Sequence, residues 1–191
     1  LARATPWAEF SLRSLGALRS LALARRSFAL RCRLAVAERS DAALGTWLHA
    51  FMRGCGSVPV LVKKDKPGFL ANRMQHALSR EAFALIDEGI ASPEDVDAAV
   101  RFGFGFRFLA AGPVLQRDHA GIEVHTAAAA TMYPTLSNTD IPAQALRDKV
   151  AQSQLGMKTG KGFFDWPEDR KRAERERYDT LLRQGLALLA S

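Results

Sequence analysis

The run VPVLVKK at residues 58–64 constrains this 191-residue chain more than any other stretch. It is β-branched, short and bounded by glycine and proline, and it is the one convincing strand in a sequence otherwise written at helical spacing. A strand leaves a row of backbone donors and acceptors that must be paired, so it does not stand alone. Two solutions follow: the strand pairs with another chain, or it belonged to a sheet whose other strands this sequence lacks.

Everything after it reads as helix. Pro67 and Gly68 break the chain, then Leu70, Met74, Ala77, Leu78, Leu85 and Ile86 recur at helical spacing up to Gly89. Ser92 caps the next helix, with Pro93 at its first position, Asp95 at the capping-box position and Gly103 at its end. Alanine-rich 122–132, then 143–152 and 168–190, complete a set of helices joined by bundle-length loops, one of them the glycine-rich LGMKTGKGFFDW. Upstream of the strand, Ser40 or Asp41 caps a helix running to about Arg53, with Leu44, Leu48, Phe51 and Met52 on one side. The predicted fold class is mainly α, a helical bundle with one strand near 58–62.

The net charge of +7 suggests an acidic partner until it is located. Residues 1–37 hold seven Arg and one Glu, +6, and the remaining 20 basic and 19 acidic groups leave the body at +1. Of those 37 residues, 28 are Leu, Ala, Arg or Ser, a bias unlike an ordinary domain start. The segment reads as a poorly ordered extension, with a membrane-surface helix or an organelle-targeting segment as alternatives. No specific nucleic-acid site is expected, because Trp7, Phe10 and Phe28 form no repeating aromatic platform. Neither Cys32 nor Cys55 belongs to a CxxC, so a reducing compartment is the default. No apolar run reaches the roughly 18 residues of a membrane span.

Familiar chemical motifs fail on inspection. GFGFRF from Gly103 lacks the third glycine of a dinucleotide turn and follows a helix. GMKTGKG is one residue short of a P-loop and has Gly162 where magnesium needs a hydroxyl. His119, Glu123 and His125 are close in sequence without the i, i+4 histidine pair of a helical metal site, and no metal is expected.

Four ordered motifs then carry a resemblance. VPVLVKKDKPGFLANRMQ resembles the last sheet strand and P-G-F-x-x-N-R helix start of the 3-hydroxyacyl-CoA dehydrogenase family. LIDEGIASPEDVDAAVRFGFGFR, AGPVLQRDHAGIE and LGMKTGKGFFDW resemble the family's next three motifs in order, over about residues 41–166. The hydroxybutyryl-CoA and λ-crystallin/gulonate branches are the nearest by eye. The resemblance implies a C-terminal helical domain, like that of 3-hydroxyacyl-CoA and 6-phosphogluconate dehydrogenases, that dimerises and closes over acyl-CoA beside an NAD-holding Rossmann domain. On that basis residues 1–37 are a degenerate segment, 38–64 the remnant helix and last strand of a Rossmann domain, and 65–191 the all-α domain.

The resemblance also assigns residues. Asn72 matches the family's active-site asparagine, an amide that stands near the catalytic His and offers an uncharged donor to the substrate oxygen. Arg73 either contacts CoA phosphates or forms a surface salt bridge, and Lys158 and Lys161 either approach substrate or cofactor or stay solvated. Tyr133 is expected to pack at a helix end. Upstream of Ser40 there is no G-x-G-x-x-G and no H-x-x-N-P, so the catalytic His and Glu and the NAD site have no counterpart here. Residues 1–37 occupy the place of that His, and their bias is what GC-rich DNA gives out of frame. A frame-shifted remnant is therefore expected. The expected function is the substrate and dimerisation domain of an NAD-dependent L-3-hydroxyacyl-CoA dehydrogenase in fatty-acid metabolism, inactive by itself. Alternatives are a non-catalytic helical homodimerisation module and a basic-tail binder of anionic lipid or nucleic acid. The expected location is cytoplasmic, or the mitochondrial matrix if residues 1–37 are a targeting segment.

Overall fold

The computed structural model describes residues 34–35, 41–64 and 66–190. Most of the biased N-terminal segment, with its targeting, lipid-binding and frame-shift readings, lies outside the described residues. The chain divides into two compact units, Leu1–Arg73 and Met74–Ser191.

The first unit contains a β-α-β crossover. Strand β1 (Leu34–Ala35) pairs in parallel with β2 (Leu61–Val62), Leu34 opposite Leu61 and Ala35 opposite Val62. Helix α1 (Ala42–Gly54) lies between them in sequence, because parallel strands need a crossover of a dozen residues or more. Asp41 starts α1 as expected: its Oδ1 accepts from the Ala43 N–H at 2.8 Å. The paired stretch is narrower than 58–64, and one of its edges is met within this chain, by Leu34–Ala35. The side presented by α1 is also wet, with Leu44, Trp47 and Phe51 each more than half exposed and the two rings stacked at 5.4 Å.

The second unit is helical. Helix α2 (Ala71–Asp87) begins in the first unit and ends at a glycine turn. There Gly89 adopts φ 69°, its N–H reaching Ile86 O at 3.0 Å while Ile90 N–H reaches Leu85 O at 2.9 Å. This double bond pattern satisfies the last carbonyls of the helix, and the left-handed backbone it needs costs glycine nothing sterically. Helix α3 (Pro93–Ala98) is capped by Ser92, whose Oγ accepts from Asp95 N–H at 3.1 Å and donates to Asp95 Oδ2 at 2.7 Å. It does not simply stop at Gly103: it widens into a π-type turn over Ala99–Phe104, with Gly103 at φ −86°, ψ −111°, and then tightens to a 3₁₀ turn over Gly105–Leu109.

Helix α4 (Leu115–Ala120) was not expected; Val114 precedes it and gives no side-chain cap, so the sequence carries no start signal. Helices α5 (Ile122–Met132), α6 (Gln144–Ala151) and α7 (Glu168–Ala190) stand where the periodicity put them. Tyr133, expected to pack, is 72% exposed at the start of a 3₁₀ turn, Tyr133–Thr135, that follows α5. Within this unit Phe83 of α2 meets Phe163 of the glycine loop, ring centroids 5.5 Å apart, with the Lys149 ammonium 5.5 Å from the Phe163 centroid. Among the described residues no helix is long and apolar enough to cross a membrane.

Candidate functional site

The first candidate element is the turn leading into α2. Phe69 N–H closes it on Lys66 O at 2.9 Å, Gly68 sits at φ 82°, and Phe69 itself at φ 48°. Asn72 follows in the first helical turn, half-buried, just after the strand–turn break. Arg73 Nη1 donates to Pro67 O at 3.2 Å, a bond to the turn's own backbone, and among the described residues it has no carboxylate partner within salt-bridge distance.

The glycine loop of the second unit is tied internally. Thr159 Oγ1 accepts from Leu155 N–H at 2.9 Å and donates to Lys161 O at 3.2 Å, and Gly156 N–H reaches Lys161 O at 2.8 Å. Antiparallel bridges join Gly156 to Lys161 and Lys161 to Asp165. Lys158 lines a shallow depression with Asp165, Trp166 and Lys171, but Lys161 is not part of its wall. Thr159, the residue that fixes the loop, went unnoticed because a lone threonine among glycines has no signature.

An open cleft of about 1180 Å³ lies beside this loop, floored by Phe102, Phe164, Trp166, Leu181 and Leu182. Arg170 caps its edge, with Cζ 5.0 Å from the Trp166 ring and Nη1 donating to Asp165 O at 2.8 Å. The cleft suits an apolar or aromatic group, or another protein surface. Asn72, Arg73, Lys158 and Lys161 do not line it, whereas Met157, Phe164 and Trp166 of the LGMKTGKGFFDW motif do. Along α7, Glu174 takes two bonds from Arg177, which hold its carboxyl below the ordinary range and raise the guanidinium. His125 meets Arg117 Nη1 at 3.0 Å from its Nδ1.

A second missed set braces the loop before α6. Asp87 accepts from Gln144 N–H at 2.6 Å and Ala145 N–H at 2.8 Å, and Glu81 Oε2 accepts from Ser137 N–H at 2.8 Å. A signal for it existed: Ala143 gives α6 no cap, so the donors of that helix start had to be satisfied from elsewhere.

Among the described residues of the first unit, the start of the crossover helix is occupied by the Asp41 carboxylate, whose charge opposes a pyrophosphate at that helix end.

A parallel β-α-β is followed in sequence, through a P-G-F-x-x-N-R turn, by a helical unit, the arrangement of a dehydrogenase family's C-terminal helical domain. The family model for the 3-hydroxyacyl-CoA dehydrogenase C-terminal domain matches residues 68–166, and the chain belongs to that family. It is 39% identical over 131 residues to the 5-formyl-3-hydroxy-2-methylpyridine 4-carboxylate 5-dehydrogenase of Mesorhizobium japonicum, a match covering 68% of this chain and 42% of that protein. It is 45% identical over 83 residues to L-carnitine dehydrogenase of Burkholderia mallei, covering 44% and 24% respectively. A crystal structure of a 5-formyl-3-hydroxy-2-methylpyridine 4-carboxylic acid 5-dehydrogenase, described as an NAD⁺-dependent dismutase, superposes with TM-score 0.74 at 30% identity, over 84% of this chain and 50% of that one. The chain thus spans less than half the length of the curated relatives it matches.

Proposed function

We propose that this chain is the substrate-binding and dimerisation part of an NAD-dependent oxidoreductase acting on a 3-hydroxyacyl-CoA. The observation that carries the reading is Asn72, held half-buried in the first turn of α2 directly behind a left-handed turn. An amide there offers N–H to a carbonyl oxygen as it gains negative charge during reduction. Hydride transfer also needs the nicotinamide within about 3–3.5 Å of the reacting carbon, and the described residues offer no dinucleotide cradle.

The experiment has two arms. Residues 1–191 alone are incubated with NADH and acetoacetyl-CoA, and no oxidation of NADH is expected. A chimera placing residues 34–191 after the preceding part of the Mesorhizobium dehydrogenase is expected to oxidise NADH with acetoacetyl-CoA. Turnover by the chain alone overturns the division of labour; a folded, NADH-binding chimera without turnover on any carbonyl substrate overturns the enzymatic reading.

One observation favours a second substrate class. The relative matched over the longest stretch of the proteins compared above is named for a pyridine carboxylate, and the aromatic-floored cleft is compatible with ring substrates or with a protein partner. Faster chimera turnover on 5-formyl-3-hydroxy-2-methylpyridine-4-carboxylate than on acetoacetyl-CoA selects it.

The dimerisation part of the proposal rests on α5, an alanine-rich helix where Ile122, Val124 and Met132 are each more than half exposed, and on Met74 of α2 at 57% exposed. Sedimentation across a hundredfold concentration range is expected to show a dimer, and a strict monomer overturns this part, together with the alternative of a non-catalytic dimerisation module.

A further inference from the structure

The segment from Lys66 to Arg73 contains a conflict the chain has not removed. Phe69 holds φ 48°, a left-handed backbone that is an outlier for a bulky side chain. Such a residue persists only when its surroundings over-determine it. Three contacts do so. Phe69 N–H is tied to Lys66 O at 2.9 Å. Arg73 Nη1 reaches back over the turn to Pro67 O at 3.2 Å. The stem of Arg73 also lies under Gly68, so that a Cβ added there would stand 3.2 Å from Arg73 Cγ and 3.7 Å from Asn72 Cβ. A methyl group at residue 68 would crowd Arg73 Cγ and stand in ordinary contact with Asn72 Cβ, and the glycine is needed for φ 82° as well.

We propose that Arg73 is a positioning residue for Asn72: by gripping the Pro67 carbonyl it keeps the left-handed Gly68–Phe69 turn closed, and the closed turn sets where the Asn72 amide points. Asn72 and Arg73 are adjacent on the helix, so any relaxation of the turn rotates the first helical turn and carries the amide with it. The arginine is committed to the protein through its stem and its guanidinium together, a planar fork suited to bridging a carbonyl while its apolar part packs. The inference rests on reading Asn72 as the active-site amide, but its test is structural and independent of turnover.

The test uses the full 191-residue chain, labelled with ¹⁵N, as wild type, Arg73→Met and Arg73→Lys. Arg73→Met keeps the stem and removes the donor. It is expected to shift the Asn72 side-chain NH₂ resonances and to speed exchange of the Phe69 amide about fivefold, the loss of one ordinary hydrogen bond. Arg73→Lys, which retains a donor on a long stem, is expected to restore part of both. The indole resonances of Trp47 in the first unit and Trp166 in the second report that each variant remains folded. Unchanged Asn72 resonances and Phe69 exchange in a folded Arg73→Met chain overturn the proposal. A change confined to coenzyme A affinity, with both readouts unmoved, overturns it in favour of a phosphate contact.

Discussion

The carboxylate of Asp87, at the last residue of α2, serves as the missing cap of α6: Oδ2 takes the Gln144 N–H at 2.6 Å and Oδ1 the Ala145 N–H at 2.8 Å. An acid at the C-terminal end of its own helix opposes that helix's dipole, whereas at the start of α6 it is favourable. The second role accounts for its presence. Asp87→Ala leaves two helix-start donors without this partner and is expected to cost about 1–2 kcal/mol, the range of a lost N-cap. Asp87→Asn keeps one acceptor and should cost less. Urea unfolding midpoints at constant m-value measure both.

Gly162 is required by space. A Cβ built on it would lie 2.8 Å from Gly156 Cα and 3.1 Å from Gly156 N, backbone atoms fixed by the bridge to Lys161. Gly162→Ala is expected to destabilise the second unit by about 1–3 kcal/mol, as overpacking does. Gly112, with nothing within 4 Å of its Cβ direction, is the control, and Gly112→Ala should stay within about 0.5 kcal/mol of wild type. Equal losses in thermal unfolding would show that the Gly156–Gly162 approach is not tight.

Acid should loosen α7 before the rest of the second unit. The Arg177 hydrogen bonds hold Glu174 below its ordinary value of 4.5, and a bond from Lys171 does the same for Glu168. A carboxylate depressed in the folded state contributes stability that is present above 4.5 and is lost as pH falls through the lower folded value. The pairs are exposed, so the effect is small and is screened by salt. A shallow fall in ellipticity at 222 nm below pH 4.5 is expected, reduced in Glu174→Gln and at high salt. Identical acid curves for the two proteins would remove these pairs as its cause.

The features legible in the sequence were those whose cause is local. Asp41 and Ser92 cap the helices they precede, and Gly89 ends α2, because each acts within a few residues of itself. The helical class and the family were readable for the same reason, since the motifs are contiguous. What escaped notice depends on distant partners. Leu34–Ala35 is a two-residue strand inside a low-complexity stretch and becomes visible only through Leu61–Val62. Asp87 and Glu81 read as a polar helix face until the loop they brace is in place. Arg73 belongs in between: its place in the P-G-F-x-x-N-R motif was visible, but its bond to Pro67 required the turn geometry.

Asn72 supplies the decisive chemical expectation. In the chimera carrying residues 34–191, Asn72→Ala should lower kcat with acetoacetyl-CoA about 10²–10³-fold, the loss found on removing one donor from a developing oxyanion. Km should change far less, because the donor gains strength as negative charge builds on the oxygen and contributes little to ground-state binding. Asn72→Asp separates this from a merely structural part, since it preserves shape while placing a negative charge beside the oxygen, and it should be at least as slow as the alanine variant. Steady-state kinetics of the three proteins on both candidate substrates check the point. A rise in Km at unchanged kcat would assign Asn72 to substrate binding alone and move the search for the oxyanion donor elsewhere.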